Sequence, residues 1–202
     1  MFVQVIEGRV TDAAALRSAI DEWVQQLSPT ATGWLGSTGG VTEDGRAIAL
    51  VRFESEQSAR ENSDRPEQDQ WWAQTAKLFD GEPTFSESSD VTPDIVGDPD
   101  QAGFVQVMKG RGNNPERARE LMTQDSEAWA AFRPEIIGSL GVGYPGGAYT
   151  MALYFTSEEA AREGEKKELP ENLKAQMDEM AALSEGEPEF FDLREPWLHS
   201  PA

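Results

Sequence analysis

The sequence has 202 residues, with 17 Lys and Arg against 37 Asp and Glu and a formal net charge of −20. A chain this acidic excludes nucleic acid, which is bound by releasing phosphate counterions to Lys and Arg, and disfavours anionic membrane surfaces. Hydrophobic residues at 38%, with six Trp and nine Phe, suffice for a packed core, and the absence of cysteine removes disulfides and thiolate chemistry. No apolar run approaches the ~20 residues of a membrane span. The opening Met1 to Glu7 has neither a basic stretch nor a small-residue cleavage site, so a cytoplasmic location is expected.

In chain order, Phe2 to Glu7 alternates and is β-branched, which predicts a strand. Leu16, Ile20, Trp23, Val24 and Leu27 keep the spacing of one helical face. Two strands follow near Gly33–Val41 and Arg46–Phe53, joined by a turn at Glu43-Asp44-Gly45. Ser55 caps a second helix, Pro66 interrupts it, and a further helical run carries Trp71, Trp72, Thr75, Leu78 and Phe79. A last strand follows Pro83.

The same order then returns. Phe2-Val-Gln-Val-Ile-Glu-Gly-Arg9 recurs as Phe104-Val-Gln-Val-Met-Lys-Gly-Arg111, and Phe53 to Arg60 recurs as Phe155 to Arg162, both displaced by 102 positions. Gly81-Glu-Pro83 recurs as Gly186-Glu-Pro188. Asn114-Pro115-Glu116 caps the second copy's first helix, expected to carry Ala118, Leu121, Met122, Trp129 and Phe132 on one face. The reading is an α+β tandem duplication of ferredoxin-like βαββαβ units: 1–90 the first, 91–102 a linker rich in Asp and Pro, 103–202 the second.

A four-stranded sheet with helices on one face leaves the other bare. The two sheets are therefore expected to pack face to face as an intrachain pseudo-dimer, the chain itself being monomeric or weakly oligomeric. Gln4, Arg52, Gln106 and Tyr154 are the polar side chains expected at that interface, where burial requires hydrogen-bond partners.

Motifs for familiar chemistry are weak. Gly141 to Gly146 satisfies G-x-G-x-x-G on letters, but a strand follows it instead of a helix, so it reads as a hairpin connection. His199, the single histidine, reads as a tail residue three positions from the end, and Asp90, Asp94, Asp98 and Asp100 as a solvated charge run. No metal site and no bound cofactor are expected. The aromatic residues are more informative. Trp23 and Trp129 read as core, whereas the adjacent Trp71 and Trp72 project about 100° apart on a helix and do not share the centre of one buried stripe. Trp34, in Gly33-Trp-Leu-Gly36, has small neighbours that leave room beside its indole.

The junction Val51-Arg-Phe-Glu-Ser-Glu-Gln-Ser-Ala-Arg60, then Asn62 to Glu67, Trp71-Trp72 and Leu78-Phe-Asp-Gly-Glu-Pro83 resemble the antibiotic biosynthesis monooxygenase-like branch of the dimeric α/β-barrel superfamily. The resemblance spans the chain as two fused copies. It implies a pocket between sheet and helices lined by Val3, Val5, Ala49, Val51 and Phe53. It also implies a small apolar or aromatic ligand, oxidised by dioxygen without a cofactor. The ligand-binding candidates are Trp34, Phe53, Asn62, Trp71 and Trp72, with the first copy the more complete.

The sequence departs from these relatives at several positions. Where phenol oxidisers carry Asn, Trp and Tyr, this chain has Ala49, Phe53 and Ala59, or Met151, Phe155 and Ala161. Where haem degraders carry a Trp and a ligating His, the matching positions are Asn62 and Trp72, so no axial histidine stands there, and Gly164 stands opposite Asn62 in the second copy. No general base is evident. The alternative is a non-catalytic ligand-binding or protein-interaction module on the same scaffold.

Overall fold

The computed structural model describes residues 1–95 and 97–201, which form two compact units, residues 1–91 with 195–201 and the described residues of 92–194. In the first unit, β1 (Phe2–Arg9), α1 (Ala13–Gln26), β2 (Trp34–Val41), β3 (Arg46–Phe53), α2 (Glu56–Ser63), α3 (Pro66–Thr75) and β4 (Thr84–Ser88) follow in order. The strand β5 (Asp90–Ile95) comes next. The second unit continues with β6 (Phe104–Arg111), α4 (Pro115–Thr123), α5 (Ser126–Phe132), β7 (Ile136–Gly143), β8 (Ala148–Phe155), α6 (Glu158–Glu165), α7 (Glu171–Leu183) and β9 (Glu189–Leu193). The final strand is β10 (Trp197–His199).

Capping fixes where the helices begin. Asp12 and Asn114 accept hydrogen bonds from the amides of Ala15 and Arg117, while Ser55 and Ser157 accept from Ser58 and Ala160. Pro66 and Pro115 occupy first turns, where a missing N–H costs nothing.

Each unit contains one five-stranded sheet, in the orders β10-β2-β3-β1-β4 and β5-β7-β8-β6-β9. Here the boundaries differ from expectation. The segment 91–102, expected to be a linker, begins within β5, which pairs beside β7, and residues 195–201, expected in the second unit, belong to the first, where β10 pairs with β2. Val96 lies outside the described residues. Both extra strands satisfy the otherwise open edge of a sheet.

The second unit's first helix also differs. It breaks between α4 and α5, with Asp125 in the left-handed region at φ 54°. Trp129 lies 106 positions after Trp23, whereas the surrounding strands keep a spacing of 102. The two segments between strands are equally long, so Trp129 sits four positions later in its own, beyond a break where the Gln176 amide donates to the carbonyls of Leu121 and Gln124.

Cross-strand register decides which residues face the helices. Gln4 pairs with Val51, Ile6 with Ala49 and Phe2 with Phe53, so these six share the side on which Trp23, Ala59 and Trp71 pack. Val3 and Val5 lie on the other side, and so does Arg52, the partner of Val3. In the second unit Gln106 pairs with Leu153 and Val105 with Tyr154, which again divides a predicted polar pair between two faces. Gln4, Arg52, Gln106 and Tyr154 therefore do not form one set. The glutamines are on the helix-facing side, with Gln4 donating to Glu87 at 2.7 Å and Gln106 to Asp192 at 2.9 Å. Arg52 is within 3.5 Å of the Thr38 hydroxyl.

Candidate functional site

A cavity of about 220 Å³ lies in the first unit between the helix-facing side of its sheet and α1 and α3. Small residues make the space. One row across the sheet reads Trp197, Gly39, Ala49, Ile6 and Phe85, so its middle carries almost no side chain. Ala49 and Val51 remain partly exposed in a central strand because they open onto the cavity. In the second unit the corresponding row reads Gly141, Met151, Met108 and Phe190, with methionines where the first has Ala49 and Ile6.

A bulge brings Trp34 to this side. The register shifts between Trp34 and Gly36, so Trp34 faces the helices together with Ser37 and Gly39 despite the odd spacing. Gly36 adopts φ 121°, a conformation side chains rarely allow.

All five residues proposed from sequence, Trp34, Phe53, Asn62, Trp71 and Trp72, line this cavity. Val3 and Val5 do not; Gln4 and Ile6 take their place because of the register. The indoles form a chain: Trp23 meets Trp34 edge-on at 5.3 Å and Trp71 at 6.3 Å, and Trp71 meets Trp72 at 6.0 Å. Trp72 then meets Phe85 edge-on at 5.2 Å, and Phe85, 50% exposed, marks the mouth.

The polar groups differ in how far they are satisfied. Trp23 donates to Gln68 at 2.6 Å, and Trp71 to the Ala19 carbonyl at 3.0 Å. The Trp34 indole N–H is buried without an acceptor among the described residues, although Trp34 is only 5% exposed. Asn62, 6% exposed on α2, accepts from Arg65 at 3.0 Å. A guanidinium only donates, so this contact assigns the Asn62 oxygen. Its amide nitrogen is then a second donor without a partner among the described residues. A buried donor left unsatisfied, as the Trp34 N–H is, costs roughly 1–3 kcal/mol, and a ligand acceptor reaching it would relieve that cost.

His199, read from sequence as a tail residue, also lines the cavity. It sits on β10 directly across from Ser37 of β2, with Nδ1 3.4 Å from the Ser37 hydroxyl and Nε2 3.3 Å from Asp21 of α1. Nothing local in the sequence signals this, because the strand returns from the chain end to a partner 162 residues earlier.

The second unit treats the Asn62 position differently. Gly164 stands there, and a Cβ on it would collide with the ion pair between Arg133 and the buried Glu135. Burial raises the Glu135 pKa, but the Arg133 hydrogen bond and charge outweigh it and leave the carboxyl below its ordinary 4.5.

Among the described residues no group of three or more His, Asp or Glu is placed to hold a metal ion, and no helix is long and apolar enough to cross a membrane. At about 220 Å³ the cavity lies below the ~300 Å³ lower end of ordinary ligand pockets, which favours a compact ligand over a macrocycle such as haem.

No family model matches the sequence, and no curated protein matches it significantly. Solved structures do match along the whole chain. A candidate monooxygenase of Fusobacterium nucleatum superposes with a TM-score of 0.79 at 10% identity, over 98% of this chain and 94% of its own. One from Lactobacillus acidophilus gives 0.76 at 11% identity, over 98% and 95%. An anthrone oxidase-like protein gives 0.66 at 13% identity, over 98% and 93%. Likeness at such low identity establishes architecture, and activity has to be argued from the site. The chain carries the fold of the antibiotic biosynthesis monooxygenase-like proteins, as two ferredoxin-like units in one polypeptide.

Proposed function

We propose that the first unit binds a small aromatic molecule in its cavity and oxidises it with dioxygen, without a bound cofactor. The observation that carries this reading is the cavity itself: about 220 Å³, walled by Trp and Phe, with Asn62 in its wall and the buried Trp34 N–H lacking an acceptor. An engineered apolar cavity of about 150 Å³ accommodates benzene, so the enclosed volume suits one or two fused rings carrying an acceptor oxygen. An electron-rich ring can supply all the electrons itself. In the conversion of 1-naphthol and dioxygen to naphthoquinone and water, one oxygen atom enters the ring and the other leaves as water. The protein's part is then to hold the ring dry and stabilise developing negative charge with the Trp34 and Asn62 donors. The net charge of −20 supports a protein without nucleic-acid partners.

Oxygen uptake with 1-naphthol, alongside thermal shifts with the same compound, tests the reading. Uptake that disappears in Asn62→Ala supports oxidation. A thermal shift without uptake reduces the protein to a binding module, and neither response refutes the proposal.

A further inference from the structure

Resting on the binding reading above, we infer that Ser37, His199 and Asp21 form a proton-accepting line at the cavity, and that its ligand is an aromatic ring bearing an acidic hydroxyl group, taken up as its anion. Ser37 and His199 are directly opposed across the β2–β10 pair, so both side chains leave the sheet on the cavity side. Asp21 reaches the imidazole from α1.

The chemistry of the partners sets the direction. A carboxylate only accepts, so Nε2 carries the proton toward Asp21 and Nδ1 presents its lone pair to the Ser37 hydroxyl. A phenolic O–H that donates to Ser37 Oγ can lose its proton as Ser37 passes its own to Nδ1. The ring O–H bond breaks, a new N–H bond forms, and the products are a phenolate and an imidazolium held by Asp21. Asp21 is the positioning residue.

The His199 side chain is only 17% exposed, which keeps the charge pair close and poorly screened. The Trp34 N–H, buried without an acceptor, and the Asn62 amide in the cavity wall suit the same ligand, since an anion accepts what they offer. Acyl transfer by the same three residues is disfavoured, because Ser37 lies in a strand paired on both sides and nearby backbone donors are committed to the ladders.

The charged groups around the line are Asp21 on α1, Arg17 one turn before it and paired with Glu195 ahead of β10, Asp69 on α3, which also lines the cavity, and Glu87 on β4, held by Gln4. The carboxylates outnumber the one cation, which is paired with Glu195, and oppose a bound anion, so without His199 the cavity should favour the neutral phenol.

The test uses the full chain with 4-nitrophenol, whose phenolate is coloured. Tryptophan quenching reports binding and visible absorbance reports ionisation, each across a pH series. The expected result is that wild-type protein lowers the apparent pKa of bound 4-nitrophenol by at least ~1 unit. His199→Gln and Asp21→Asn should still quench fluorescence but bind the neutral form, with the shift abolished. Asp21 is about half exposed, so Asp21→Asn keeps the test valid should His199→Gln loosen β10. Binding of 4-nitrophenol by the wild type with no shift, or a shift unchanged in both variants, overturns this inference and leaves the binding reading intact. Absence of quenching by both 4-nitrophenol and 1-naphthol overturns the two together.

Discussion

Replacing Ala49 by Leu should raise the stability of the first unit while abolishing ligand binding. Ala49 sits mid-sheet between Gly39 and Ile6 and opens onto the cavity. Leu adds three carbons to that space, worth roughly 2.4 kcal/mol at ~0.8 kcal/mol per buried methylene. Ordering the Leu side chain costs about 0.5–1 kcal/mol, which leaves about 1.5 kcal/mol. For a domain of about 100 residues this corresponds to an increase of roughly 6 °C in Tm at ~4 °C per kcal/mol. Tryptophan fluorescence suits the assay because Trp23, Trp34, Trp71, Trp72 and Trp197 all belong to the first unit and Trp129 alone to the second. If Trp72 and Phe85 instead close over the space, Leu overpacks it and the unit loses about 1–3 kcal/mol. A lowered melting temperature with 1-naphthol binding intact would refute the reasoning.

Asn62→Ala should destabilise the first unit by about 1–2 kcal/mol, since Arg65 loses an acceptor in a half-buried setting, and weaken 1-naphthol binding at least tenfold; urea titration and fluorescence quenching measure the two effects. The depressed pKa of Glu135 gives a signed prediction for the second unit. Its stabilisation is present above the ordinary 4.5 and is lost as pH falls through the lower folded value, so Glu135→Gln should be less stable at neutral pH and lose stability less steeply in acid. Hydrogen exchange at second-unit amides against pH reads this, and parallel acid profiles would contradict it. Asp125→Ala should destabilise the second unit by roughly 1 kcal/mol, because Asp tolerates the left-handed backbone there and Ala does not; calorimetry decides.

The strands, the caps and the repeat were legible because each depends on neighbours in sequence. Asp12, Asn114, Ser55 and Ser157 act within three residues, and the alternation of β1 and β3 is visible in a short window. Alternation sorts one strand's residues into two sides but does not say which side matches which on the next strand. That is why Val3 and Val5 were placed in the pocket and Gln4 was grouped with Arg52, when the register puts Gln4 beside Val51. The bulge before Gly36 adds a further shift, although glycine-rich composition there hinted at room beside Trp34. The return of the chain end was the least legible feature, since three residues of β10 carry little pattern of their own. His199 gained its neighbours from β2 and α1, not from sequence context. The break at Asp125 had a visible signal, the lengthened interval between Trp23 and Trp129.

The most direct test of the cavity as a ligand site is a crystal structure of the full chain grown with 1-naphthol. The account predicts density for the ring over Ala49 and Gly39 in the first unit, with its oxygen within hydrogen-bond reach of Asn62 or Trp34. Density confined to another surface, or a cavity closed by Trp72 and Phe85 with no ligand inside, would contradict it.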